Sequence, residues 1–369
     1  MKVTVGIPTI SGREKYLESC LRTCTEQDED YEILVSDNPG GGARDIVASI
    51  RDPRIRYVTP PQYLPMSAHW DFLLTQVSGE LLTIIGDDDG LMPGCIKRIK
   101  EIQADAKGLP IHHSLANYWW PDVEDVGRRR TVEFFHAVGK GQTTENAPQF
   151  VRSVARARAR YVDGPMVYHN FIPTPLLRRI AKKDVFFRRA SPDVYSALAI
   201  AANIAEFVST RELLTLSGQG ARANGASVRS GGAQEFMTQA QTNYPPRFAG
   251  RTVQLALLDS LLEVADDTDR PELLSALHLG AHFAAAFRES EGMSKGERKI
   301  VIGEVRKHGL VFSTVAARAA GIARSRINGR AARKIEHSFE RGDYAKTSAL
   351  NIYEATLELQ SRLDQLKPA

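Results

Sequence analysis

Cysteine is scarce in this chain. Three residues, Cys20, Cys24 and Cys95, cannot build a disulfide framework in a protein of 369 residues. Cys20 and Cys24 stand at helical spacing, with no neighbouring Cys or His cluster to complete a metal site. Buried thiols in a reducing cytoplasm are the expectation. Long hydrophobic runs are also missing, since none reaches the roughly 18–20 apolar residues that span a bilayer. The opening MKVTVGIPTI is interrupted by Gly6, Pro8 and Thr9, so it reads as a strand rather than a secretion signal. No GxxxxGK[ST] loop occurs, and no GxGxxG follows the first strand. Walker-type and dinucleotide sites are therefore unsupported.

What is present is ordinary globular composition, 43% hydrophobic and 25% charged, which excludes disorder throughout. The length suits one large or two modest domains. The net charge of +4 conceals an asymmetry. Residues 1–110 hold 12 basic and 17 acidic side chains, a net of −5, so the remainder carries +9. Such a division suits a protein that handles an anion or lies near one.

The first 106 residues alternate strand and helix. Apolar β-branched runs at 3–10, 31–36, 55–58 and 81–85 predict strands. Between and after them, 14–26, 44–51, 67–77 and 93–106 predict helices. This pattern builds an α/β fold with a mostly parallel, Rossmann-like sheet flanked by helices. Further on, 112–118, 131–136 and 207–210 read as strands of a mixed sheet, and 146–160, 173–183 and 196–206 as helices. Residues 217–232, SGQGARANGASVRSGG, read as a loop. Beyond about 233 the pattern is helical, at 251–265, 272–288, 297–308 and 344–366. Three segments follow: a sheet domain at 1–215, a Gly/Ser/Arg-rich loop at 216–250 and a helical C-terminal domain at 251–369.

In parallel sheets ligands sit beyond the strand C-termini. Asp37 and the run Asp87–Asp88–Asp89 both fall at such ends, so they can meet in one cleft. Three adjacent carboxylates raise one another's pKa, and a cation relieves them. A hard divalent ion held through oxygen is the natural use, although a bare acidic turn is the bland alternative.

In order, VTVGIPTI with Arg13, ILVSDNPG and SAHWDFLLTQVSGELLTIIGDDDGLMP resemble the family 2 glycosyltransferases with the GT-A fold. The resemblance is firm over residues 1–105 and extends to about 215. It implies a nucleotide-sugar donor, usually a UDP-sugar, with Mn²⁺ or Mg²⁺ bridging its phosphates. By position it places Pro8, Thr9 and Arg13 at the nucleotide, Asp37 at the base and Asp87 near the ribose. Asp88 and Asp89 are then the metal or donor-sugar contacts of the DXD-like run. An inverting transferase also needs a base, and Asp193 in Arg-Ala-Ser-Pro-Asp-Val-Tyr stands where similar proteins keep one. Ser-Pro-Asp is equally a helix-capping sequence, and Asp163 is the second candidate.

Trp119 and Trp120 can stack on sugars or pack in the core. Arg222 and Arg229 sit in the Gly-rich loop, which can act as a lid over the diphosphate or as a plain linker. The acceptor implied is a saccharide or lipid-linked glycan in surface polysaccharide or glycoconjugate synthesis. Residues 294–336 carry 11 Lys+Arg against 3 Asp+Glu. They read as a solvated face, or as a peripheral contact with the anionic inner membrane surface. Nucleic acid is disfavoured, since Phe312 is the tract's sole aromatic. Leu255, Leu258, Leu261 and Leu262 equally fit helix-mediated self-association into a homo-oligomer. The competing functions are a nucleotidyltransferase, whose GxGTR-like loop is missing, and a silent glycan-binding protein on the same fold.

Overall fold

Strands buried on both faces need apolar residues at every position, and the first strands have them. In the computed structural model, which describes residues 1–223, 246–268, 271–328 and 342–365, they form one five-stranded sheet. Its members are β1 (Val3–Thr9), β2 (Glu32–Asp37), β3 (Ile55–Val58), β4 (Leu81–Ile84) and β10 (Ile172–Pro173), in the order β10-β4-β1-β2-β3. The first four run parallel, and β10 pairs antiparallel with β4. Alternation along each strand feeds two cores. Val3, Val5, Ile7, Ile33 and Val35 face α1 (Glu14–Thr25) and α4 (Cys95–Ala106). Leu34, Leu82 and Ile84 face α3 (Met66–Gln76), α5 (Ala147–Ala155) and α7 (Pro192–Ala202). All three cysteines are buried and free, as expected of a chain with too few for a disulfide framework.

Two smaller sheets extend this layer. One orders β6 (Ile111–Ser114), β11 (Glu206–Leu213) and β9 (Gln142–Asn146). The other orders β13 (Tyr344–Lys346), β8 (Thr131–Phe134), β7 (Ala116–Trp119), β12 (Thr215–Gln219) and β5 (Gly90–Leu91). Its apolar face is covered by α13 (Ile352–Gln365), through Ile352 and Leu359 against Tyr118, Trp120 and Leu216.

Two expectations change here. Ser217–Gln219 are not loop: they pair with Asn117–Trp119 because β7 and β5 leave an open edge beside them. Residues 344–346 are strand rather than helix, since their backbone completes the edge of β8. The chain end therefore returns to the sheet.

The helical segment holds α8 (Val253–Thr268), α9 (Pro271–Ala276), α10 (Leu279–Ser290), α11 (Lys295–Lys307) and α12 (Val311–Asn328). Helix α8 serves two cores. Leu257, Leu261 and Val264 join the main core, while Leu255 and Leu258 pack with Phe283 and Val301. No helix among the described residues is long and apolar enough to cross a membrane.

Candidate active site

The site begins with the pairing register. Thr9 lies opposite Asp37 at the ends of β1 and β2, and β4 ends beside them, just before Asp87. Three strand C-termini thus deliver their polar residues to one rim. Arg13, opening α1, reaches back over this rim. Its Nε donates to Asp87 Oδ1 at 2.6 Å and its Nη2 to Asp88 Oδ1 at 2.9 Å. Thr9 Oγ1 donates to Asp87 Oδ2 at 2.6 Å. Both oxygens of Asp87 are therefore engaged by the protein.

The three aspartates differ in what encloses them. Asp89 is 0% exposed and faces inward. It accepts from the Gly218 N–H at 2.6 Å and the Tyr168 hydroxyl at 2.6 Å, and it also accepts from the Gly86 N–H. His169 Nε2 lies 3.3 Å away. Burial raises this carboxyl, but His169, Tyr168 and Gly218 outweigh it and hold it below the usual range. Asp88 is the open member. Among the described residues its Oδ2 has only a long 3.4 Å bond, from the Gly220 N–H, and its side chain lines a cavity. Burial pushes it up to about 7 against the pull of Arg13, with Asp89 and Asp87 adding repulsion.

That cavity has a volume of about 930 Å³, within the range of small-molecule sites. Pro8, Thr9, Arg13, Asp87, Asp88 and Asp193 all line it. Asp193 lies in the first turn of α7, 3.3 Å from the Tyr161 hydroxyl. Burial raises its carboxyl, while backbone N–H groups at the helix start pull the other way. Ser191 occupies the cap position without a side-chain bond, so the capping sequence is only partly used as one. Asp163 is held well down: burial is outweighed by His136 at 3.1 Å and by Arg160. A carboxylate held so low is a poor proton acceptor at neutral pH.

Other expected residues fall outside the cavity lining. Asp37 is 2% exposed and accepts from Tyr57 at 3.0 Å, with Oδ1 lacking a partner. Its neighbour Asn38 lines the cavity instead. Neither Trp119 nor Trp120 lines it. Trp120 turns into the core beneath β12 and donates to the Asp88 carbonyl at 3.2 Å. Trp119 donates to Glu133 at 3.3 Å and stacks under Arg128. Both rings make protein contacts, with Glu133 and Arg128 for Trp119 and with the Asp88 carbonyl for Trp120. Asp89 is equally enclosed and does not line the cavity. Arg222 bridges the loops: its Nη1 donates to the Gly12 carbonyl at 3.0 Å, and its own carbonyl accepts from Arg13. Arg229 lies outside the described residues.

Sequence reading missed several residues. Tyr168 and His169 enter through a backbone bond from His169 N–H to the Ile84 carbonyl at 2.8 Å. Such a bridge across 85 positions leaves no periodic signal. Arg189 and Asp259 join the wall through an ion pair at 3.4 Å between the α7 loop and α8. A charged residue on an apolar helix face was the available hint for Asp259.

The donor set can be tested against a divalent cation. No group of three His, Cys, Asp or Glu side chains is arranged to hold a metal among the described residues. One carboxylate, Asp88, is both open to the cavity and crowded by like charge. That fits an ion held largely by substrate phosphates with a single protein carboxylate, the usual manner of Mg²⁺.

Residues 4–137 match the sequence model of glycosyl transferase family 2. A GalNAc(5)-diNAcBac-PP-undecaprenol beta-1,3-glucosyltransferase of Campylobacter jejuni is 31% identical over 105 residues, which are 27% of this chain and 34% of that protein. The chain thus matches about a third of the length of that curated relative. S. aureus TarS residues 1–349 in complex with UDP-GlcNAc superposes with a TM-score of 0.49 at 13% identity, covering 84% of this chain and 92% of that one. The same TarS fragment with UDP gives 0.46 at 13% identity, covering 95% and 97%. The mixed α/β arrangement expected from the sequence is the one observed, and the stretch from residue 4 to residue 137 is the part that matches glycosyl transferase family 2.

Proposed function

We propose that this chain is a metal-dependent, inverting glycosyltransferase. It moves a sugar from a UDP-sugar to a saccharide or lipid-linked glycan. One observation carries the reading: Asp87, Asp88 and Asp193 line the same cavity although over 100 positions separate them. The match of residues 4–137 to the glycosyl transferase family 2 model supports the reaction class. The lipid-linked substrate in the name of the Campylobacter relative supplies a precedent for the acceptor.

Asp193 accepts the proton of the acceptor hydroxyl as that oxygen bonds to the anomeric carbon. The bond from that carbon to the phosphate oxygen breaks, and UDP leaves. Asp88 would hold a Mn²⁺ or Mg²⁺ ion, which would supply Lewis-acid stabilisation of the leaving group. Arg13 orients Asp88 and keeps Asp87 fixed beside Thr9. Asp37, at the end of β2, is assigned to the base, and Asp89 ties the acidic turn to β12. The catalytic part comprises the sheets with the returning chain end, and the helical segment forms the cavity's far wall. The reading includes peripheral attachment to the inner membrane face.

Incubation with UDP-sugars, Mn²⁺ and glycan acceptors should release UDP. Asp88→Ala should abolish release while the protein stays folded. Full turnover in that variant, or in EDTA, refutes the metal assignment. Binding of UDP without turnover for any donor and acceptor would favour a silent glycan-binding protein. Pyrophosphate release from a nucleoside triphosphate would favour the nucleotidyltransferase.

A further inference from the structure

Helix α12 begins with a face that nothing in the described residues covers. Phe312 is 91% exposed, Val315 63% and Val311 45%. Ala316 and Ala319 are exposed too. The spacing 311, 312, 315, 316, 319 is a single helical stripe, and every member is apolar. The helix is anchored away from the stripe by buried Thr314 and beside it by Arg318, which pairs with Glu291 at 2.7 Å. The stripe is therefore presented outward by a helix that is fixed from behind.

The preceding helix supplies the border. On α11, Lys299, Arg306 and Lys307 are exposed, together with Ile300. The two acids of that helix, Glu297 and Glu304, are turned inward at 6% exposure each. Glu297 takes the Arg251 N–H, and Glu304 lies against His308 and Lys307. Lys299 and Arg306 have no ion pair among the described residues. The outer rim of α11 is thus cationic, the helix's own acids are not displayed, and the exposed Glu291 before it is paired with Arg298 and Arg318.

We propose that α11 and the start of α12 form a docking surface for an anionic lipid bilayer. Phe312, Val311 and Val315 enter the headgroup–acyl boundary, and Lys299, Arg306 and Lys307 contact lipid phosphates. This surface gives the peripheral-membrane reading above a location, but it does not depend on the transferase assignment. An apolar stripe beside a cationic rim is the composition that lies in a membrane interface rather than crossing it. Each cation near an anionic leaflet adds attraction that salt screens. A second copy of the chain is a poorer occupant. A two-fold contact through the stripe would bring the cationic rims of both copies near each other.

Sedimentation of the full chain with vesicles tests this. Vesicles of phosphatidylglycerol and phosphatidylcholine should carry the protein down at low salt, and pure phosphatidylcholine should not. Phe312→Glu with Val315→Glu should weaken binding by at least about tenfold. Lys299→Glu with Arg306→Glu should weaken it similarly, and added salt should weaken the wild type. All four side chains are exposed, so thermal unfolding should stay unchanged, which confirms a folded variant. No binding to anionic vesicles, equal binding to neutral ones, or undiminished binding by the double variants overturns the proposal. So does a wild-type dimer in sedimentation velocity that Phe312→Glu with Val315→Glu makes monomeric. UDP release, measured with a soluble acceptor, should be untouched by these changes. Its failure in every form would reflect on the transferase reading and not on this surface.

Discussion

Gly218→Ala is the sharpest perturbation of this site, because the replaced atom is one hydrogen. A Cβ on Gly218 would lie 1.8 Å from the Asp88 carbonyl oxygen and 2.8 Å from Trp120 Nε1. Ordinary contact begins at 3.4 Å, so β12 and the acidic turn must separate by about 1.6 Å. That movement breaks two buried bonds, Gly218 N–H to Asp89 and Trp120 to Asp88. Overpacking of this kind costs about 1–3 kcal/mol, and each buried group left without a partner adds about 1–3 kcal/mol. Partial relaxation leaves a net loss of about 2–6 kcal/mol. Thermal unfolding of the 369-residue chain should fall by about 3–8 °C. UDP release should fall by about 10²-fold, since a shift of about 1 Å in a positioned group has that effect. Gly303→Ala is the control. It sits in α11 with nothing near its Cβ, so it should be neutral or raise stability by about 0.5–1 kcal/mol. A Gly218→Ala protein that melts within about 1 °C of wild type, with activity within about twofold, would refute the close approach.

Asp193→Asn should lower kcat by about 10²–10⁴-fold while leaving UDP binding intact, as isothermal titration would read. Because burial raises the Asp193 carboxyl, wild-type activity should drop on acidification at a pH above the usual Asp range. A flat acid limb down to about pH 4 would count against it as the base. Glu263→Gln removes charge from a carboxylate that meets Arg188 at 3.3 Å and Arg247 at 3.1 Å, and that also bonds Arg189. Asp259 and Asp267 remain, so the loss should be about 1–3 kcal/mol by urea unfolding, and an unchanged midpoint would contradict the clamp. Burial depresses His69 to about 4, His112 to about 3 and His113 to about 4. Such imidazoles stabilise the fold above their unfolded pKa of about 6.5 and lose that contribution as pH falls towards the folded values. Unfolding free energy should drop by about 2 kcal/mol per imidazole between about pH 7 and 5, and a flat profile there would contradict their burial.

The first half of the fold was legible for a physical reason. Parallel strands covered on both faces must be continuous apolar runs, and VTVGIPTI, YEILVS and LLTII are such runs. The rule that ligands gather at strand ends then located Asp37 and Asp87–Asp89 before any geometry was known. What the sequence concealed was direction and pairing. It could not show that Asp89 points inward while Asp88 points out, since adjacent residues in a turn share a composition but not an environment. It could not pair Arg13 with Asp87, as a contact across 74 positions has no period. The adjacent tryptophans carry the same ambiguity, because a strand presents one to each side and both sides proved to be covered. The loop reading of 217–219 failed because Gly218 is small for close approach to Asp88, not for freedom of movement. Helix α12 went unassigned because its residues are mostly small and its outward face is apolar, so no clear polar–apolar contrast remained.

The dual service of α8 has a consequence for how this protein comes apart. Its Leu257, Leu261 and Val264 complete the core under the central sheet, while Leu255 and Leu258 hold the helical segment. Cutting the chain at residue 250 would not release a catalytic fragment. It would strip one wall from the sheet's own core and remove Asp259 and Glu263 from Arg189. It would also remove β13 and α13 from the third sheet. Catalytic sheet and helical segment should therefore behave as one cooperative unit and melt in a single transition. A gene boundary drawn at that position would separate two stretches of sequence without separating two independent folds.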